Sequence, residues 1–124
     1  MTIRTSENSK NIITTLTSSL SLGTENFIAR IAIVYSLKHH NGQLDLNNLA
    51  DSKGKEYSRK VLLGNHDKEY VGMICHVHMI RETSPLIPKL LKYHLDRGLH
   101  LIQNFKDERP RINTIEFIYA LTSD

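Results

Sequence analysis

Apolar positions recur at helical spacing along most of this chain, broken by a long polar stretch in its middle. Ile12, Ile13, Leu16 and Leu20 form the first stripe, with Ser6 placed to cap its start and Gly23 to end it in a left-handed turn. Thr24 then suits the cap of a second helix. Glu25 faces the positive end of that helix's dipole, and Lys38, His39 and His40 face the negative end. From Phe27 to Leu37 only Arg30 and Ser36 interrupt an apolar run. A helix this apolar is enclosed rather than laid on a surface. A guanidinium in its middle must be paired, because an isolated buried charge is costly. Arg30 is therefore expected to reach a carboxylate, helix-end carbonyls or a partner subunit.

The stretch from Asn41 to Gly64 is punctuated by Asn41-Gly42, Asn47-Asn48 and Gly54, and reads as a long connection with short apolar patches. Loops of that length usually have a task. Tyr70, Val71, Ile74, Val77 and Arg81 then predict a third helix, with Asn65 or Asp67 available as its cap. Ser84-Pro85 restarts the chain, with proline at the first helical position. Ile87, Leu90, Leu91, His94, Leu95, Leu101, Ile102 and Phe105 continue for about five turns as the longest helix. Pro88 still falls in the first turn, where donors are unpaired anyway. Gly98 costs a mid-helix position about 1 kcal/mol unless another backbone packs against it, so it marks close helix packing. The last apolar segment, Ile112 to Leu121, has Asn113 and Glu116 at capping-box spacing. A helix is preferred there, although Ile-Glu-Phe-Ile-Tyr also suits a strand. The pattern predicts a mainly α, compact single-domain fold, with room for a short N-terminal strand at Ile3-Arg4-Thr5.

Composition narrows the function. The 124 residues fit one domain, and 16 Lys plus Arg against 13 Asp plus Glu leave +3, which permits nucleic-acid binding without requiring it. Cys75 is the single cysteine, so no intrachain disulfide forms and a reducing cytoplasm is expected. No apolar run approaches a membrane span, and the N-terminus has no signal core.

Candidate chemistry is sparse. Cys75-His76-Val77-His78 has metal-binding residue types, but on a helix His76 and His78 diverge by about 200° and cannot chelate together. His94 and His100 are read as packing residues, and His66-Asp67 as cap and turn. No phosphate-binding glycine loop and no nucleophile motif is present. Cys75 reads as a small buried hydrophobe. No catalytic residue, metal site or cofactor is expected. Lys53, Lys55, Arg59 and Lys60 concentrate in the polar connection and Lys38 closes the helix before it, so these five are the candidates for contact with backbone phosphates.

Asn26-x-x-x-Arg30-x-Ala32-x-x-x-Ser36-Leu37, then Gly54-Lys55-Glu56-Tyr57 and Leu62-Leu63-Gly64, resembles the DndE family of bacterial DNA phosphorothioation systems. The resemblance runs from about Thr5 to Asn104. It departs at the turn before Asn26, where the family tends to place its glycine at the position of Leu22 and this chain has Gly23. It divides the chain into a DndE-like helical domain, 1–106, and a C-terminal extension, 107–124, with no role implied.

The resemblance implies a homotetramer that binds duplex DNA with a preference for nicks. It also implies cysteine desulfurase, iron-sulfur and ATPase components as partners, and no catalytic residue. Asn26, Arg30, Ser36, Gly54, Glu56 and Gly64 are then architectural positions of the motif. The competing readings are a ribbon-helix-helix regulator, from Ile3-Arg4-Thr5 ahead of two helices, and a purely scaffolding subunit.

Overall fold

The computed structural model describes residues 2–20, 25–40, 44, 46 and 49–122. Helix α1, Glu7–Ser19, starts where predicted: Ser6 is extended and its hydroxyl accepts the Ser9 N–H at 3.0 Å. Helix α2, Glu25–Lys38, buries Ile28, Ala29, Ala32, Ile33, Ser36 and Leu37, but it is not enclosed as predicted, because Phe27 and Val34 face outward and are exposed. Gly23, Thr24 and the Asn41-Gly42 and Asn47-Asn48 turns lie outside the described residues.

The polar connection is not all loop. Its second half forms strand β2, Glu56–Ser58, helix α3, Arg59–Leu63, and a 3-10 turn, Gly64–His66. β2 pairs antiparallel with β1, Thr2–Arg4, setting Ile3 opposite Tyr57 and Arg4 opposite Glu56. Ile3 and Tyr57 are buried while their strand neighbours are exposed. β1 is the short strand anticipated at Ile3-Arg4-Thr5, whereas β2 carries too little alternation to be read locally and its partner lies far off in the chain. Ser58 caps α3 by accepting the Val61 N–H.

Helix α4, Asp67–His78, corrects the predicted cap. The 3-10 turn runs into it directly, so neither Asn65 nor Asp67 caps; Asp67 is its first residue. α4 ends at Met79, a non-glycine residue in the left-handed region at φ 55°, which leaves Arg81 beyond the helix. The longest helix, α5, spans Ile87–Asp107 and begins after Pro85 rather than on it, with Pro88 in its first turn. Helix α6, Thr114–Thr122, confirms the helical reading of the last segment. The Asn113 side chain accepts the Glu116 N–H at 2.8 Å and also donates to the Glu116 carboxylate.

α2 lies along α5, and α1, α4 and β1 pack around the pair. The approach is closest at Gly98, where an added Cβ would fall 1.9 Å from the Ala32 carbonyl oxygen. α6 closes one end: Thr114 donates to the Leu20 carbonyl at 2.7 Å, and Phe117 and Leu121 are buried. Among the described residues no helix is long and apolar enough to cross a membrane.

Two glycines should separate sharply. Gly98→Ala forces α2 and α5 apart and should cost more than about 2 kcal/mol, as overpacked cores do. Gly72, on the exposed side of α4 with nothing within 4 Å of an added Cβ, should gain up to about 1 kcal/mol as Ala. Urea unfolding of both variants measures the difference; equal effects would refute the Gly98 contact.

Candidate functional site

Arg30 reaches out of the apolar helix to the end of α3. Its Nε donates to the Leu62 carbonyl at 2.8 Å and its Nη2 to the Val61 carbonyl at 3.2 Å. Of the three partners the sequence allowed, the helix-end carbonyls are the one used. The C-terminal carbonyls of a helix lack internal partners and carry partial negative charge, so a guanidinium fork satisfies both needs. Gly64 makes room for it. Its backbone sits at φ 62°, ψ −144°, and a Cβ there would lie 2.8 Å from Arg30 Nη2.

Ser36 performs a second fixation from α2. Its hydroxyl is hydrogen-bonded to His94 Nδ1 at 2.7 Å, and Arg97 Nη1 donates to both Ser36 Oγ and Ser36 O. Arg97 Nη2 also donates to the His39 carbonyl at 2.9 Å, so α5 caps the end of α2. Gly54 is pinned by the N-terminal segment: its N–H donates to Thr5 O, and a Cβ would fall 2.1 Å from Ser6 O. Glu56 is exposed and pairs with Arg4 across the two strands at 3.0 Å. Asn26 lies half-buried in the first turn of α2.

The five basic candidates do not share one environment. Lys53 and Lys60 are exposed and form no ion pair with another described residue. Lys55 donates to Glu25 and lies over the Tyr57 ring at 5.0 Å. That hydrogen bond from Lys55 holds the Glu25 carboxyl below its ordinary range, against the opposing effect of burial. Arg59 pairs with Asp67 at 2.9 Å. Lys38 is exposed at the end of α2, beside a groove also lined by Phe27, Ile31, Val34 and Tyr70. Both ion pairs are at least a quarter exposed on each side, so they are weak enough to yield to a phosphate.

Some polar groups had no sequence signal. Lys92 is buried and donates to Arg4 O, Asp51 O and the Asp96 carboxylate, while Asp96 accepts the Ser6 N–H. The i,i+4 spacing of Lys92 and Asp96 is visible in the sequence, but not the distant segments at Arg4–Ser6 and Asp51 that converge on it. His94, predicted as packing, is fully buried yet polar on both sides, since its Nε2 faces His78 Nε2 at 2.7 Å. His76 is exposed and His78 half-buried, in keeping with their divergence on a helix. Cys75 is only partly buried. Among the described residues no group of three His, Cys, Asp or Glu side chains is arranged to hold a metal ion.

Residues 2–109 match the family model described as DNA sulphur modification protein DndE. No curated protein matches the chain.

Arg30 and Gly64 should behave as one contact. Arg30→Met leaves the Val61 and Leu62 carbonyls without their donor and should cost about 2–4 kcal/mol. Gly64→Ala should also destabilise, through its backbone conformation and the approach to the guanidinium. A double-mutant cycle in urea should show a combined loss smaller than the sum; strict additivity would separate the two residues.

Proposed function

The chain belongs to the DndE family, with a role in DNA sulfur modification, and on that footing we propose that it is a non-catalytic accessory DNA-binding protein of a phosphorothioation system. In this reading it holds duplex DNA, nicked duplex in preference, through backbone phosphates. It acts as a homotetramer beside the cysteine desulfurase, iron-sulfur and ATPase components. The observation that carries the reading is the family match over residues 2–109 together with where its motif residues point. Arg30, Ser36, Gly54 and Gly64 are engaged in backbone contacts and close approaches. Side chains so occupied suit a scaffold rather than chemistry on a substrate. We assign these positions, with Asn26 and Glu56, to architecture.

DNA contact falls to the basic residues. Lys53 and Lys60 stand ready as they are, Lys55 and Arg59 by exchanging a carboxylate for a phosphate, and Lys38 from the end of α2. Each subunit carries a small positive excess. Four copies sum it into a continuous field, so assembly and DNA affinity rise together.

The ribbon-helix-helix alternative needs the N-terminal strand to pair with that of a second copy. Here β1 is paired with β2 of its own chain and Ile3 is buried, so inserting it into a groove would break the fold. A scaffold without DNA contact remains the competing class. It is separated by binding to intact, nicked and single-stranded DNA of one sequence over a salt series, with the mass measured alongside. Tighter binding to nicked duplex by a tetramer is the expected result; no binding at low salt would favour the scaffold. Lys53→Ala with Lys60→Ala should flatten the salt slope by about two counterions, as should Lys55→Ala with Arg59→Ala. An unchanged slope removes that pair from the interface.

A further inference from the structure

Three imidazoles meet where α4 ends against α5. Ring centroids of His40 and His78 are 4.9 Å apart, those of His78 and His94 5.0 Å, and those of His40 and His94 5.5 Å. His94 is fully buried, and its Nε2 faces His78 Nε2 at 2.7 Å, a distance that requires one shared proton between the two nitrogens. The other nitrogen of His94 is taken by Ser36. We propose that His40, His78 and His94 form a proton-operated clasp, in which uptake of a further proton frees His40 and the C-terminal end of α4 from α5.

Among the described residues the surroundings give that proton no counter-charge. From α5, the groups near His94 are the Tyr93 ring and the Arg97 guanidinium, and Arg97 adds like charge. α2 contributes the neutral Ser36, the segment after it His40, and α4 His78. Among the described residues no carboxylate acts on His78 or His94. Burial, reinforced by His78, His40 and Arg97, pushes His94 down to about 3; burial, reinforced by His40, also lowers His78. Opening the clasp returns these rings to water, where imidazoles titrate near 6.5. The open form therefore binds more protons than the closed one, and opening is favoured as the pH falls below about 6.5.

The end of α4 is built to yield. His78 is its last residue, where helix ends fray most readily. Met79 holds a left-handed φ of 55° without being glycine, which closure must maintain. A cavity of about 250 Å³, lined by His40, Leu44, Leu46, His78, Ile80, Leu86 and Leu90, lies on the side from which water reaches the rings. Val77, next to His78, lines the groove between α4 and α2 with Val34, Leu37 and Met73, so release would reshape that groove.

Hydrogen exchange of the full chain between pH 8 and 5, corrected for intrinsic exchange, tests the clasp. Amides of residues 75–80 should lose protection by up to tenfold per pH unit for each proton taken up below about 6.5. Amides of 95–102, within α5, should lose less. His78→Gln keeps a donor toward His94 but removes one titrating ring, so its pH dependence should be shallower. Far-UV spectra at pH 8 confirm that the variant is folded. Protection at 75–80 that falls no faster than at 95–102, or a His78→Gln slope equal to that of the unsubstituted chain, would overturn the proposal.

Discussion

The fold depends on how closely α2 can approach α5. α2 buries one broad apolar face while Phe27 and Val34 stay exposed, and the backbone contact between Ala32 and Gly98 lets one neighbour lie against the buried face without a side chain between. That approach brings Ser36 within reach of His94 and Arg97. Arg97 then satisfies carbonyls at the end of α2, which α2 cannot satisfy itself. A β-carbon at position 98 would lift the helix and loosen all of these bonds together, since none of them has slack.

Polar groups inside the molecule serve the same end. Arg30 leaves the apolar helix for the α3 carbonyls, and Lys92 with Asp96 gathers Arg4, Ser6 and Asp51. Each buried charge meets several acceptors or donors, which offsets the cost of taking it out of water. The parts with few local contacts, the three-residue strands and the five-residue α3, are thereby held by side chains from long helices. Tyr57 shows the reverse arrangement. Its phenol is buried without a partner among the described residues, and burial pushes its pKa up to about 12.

How much of this was legible in the sequence follows from the range of each interaction. The helices, the Ser6 and Asn113 caps and the packing role of Gly98 rest on neighbours within a few residues or on one anomalous residue type. Arg30 announced that it needed a partner but not which one, because its acceptors belong to a helix hidden in an apparently polar loop. β1 was anticipated at Ile3-Arg4-Thr5, but β2 was too short to signal and its pairing with β1 lay out of local range. The histidine cluster was out of reach for the same reason: His40, His78 and His94 are scattered along the chain, and each alone resembles a surface or packing residue. Of the five basic candidates, charge identified all equally, whereas the carboxylates facing Lys55 and Arg59 set two apart.

This distribution bears on how a small chain takes part in DNA modification. Arg30, Ser36, Gly54 and Gly64 hold α2, α3, α5 and the N-terminal segment together, so what they contribute is shape. Shape-driven binding asks for charge that is modest, spread out and repeated. A single strongly basic patch would bind any duplex tightly and slide on it. Weak sites on several copies hold best where the backbone can bend to meet them all, and a nick supplies that bend at low cost because one strand is already broken. In the proposed reading, the small net charge of +3 and the exposed Lys53 and Lys60 flanking β2 would suit such weak, repeated contacts.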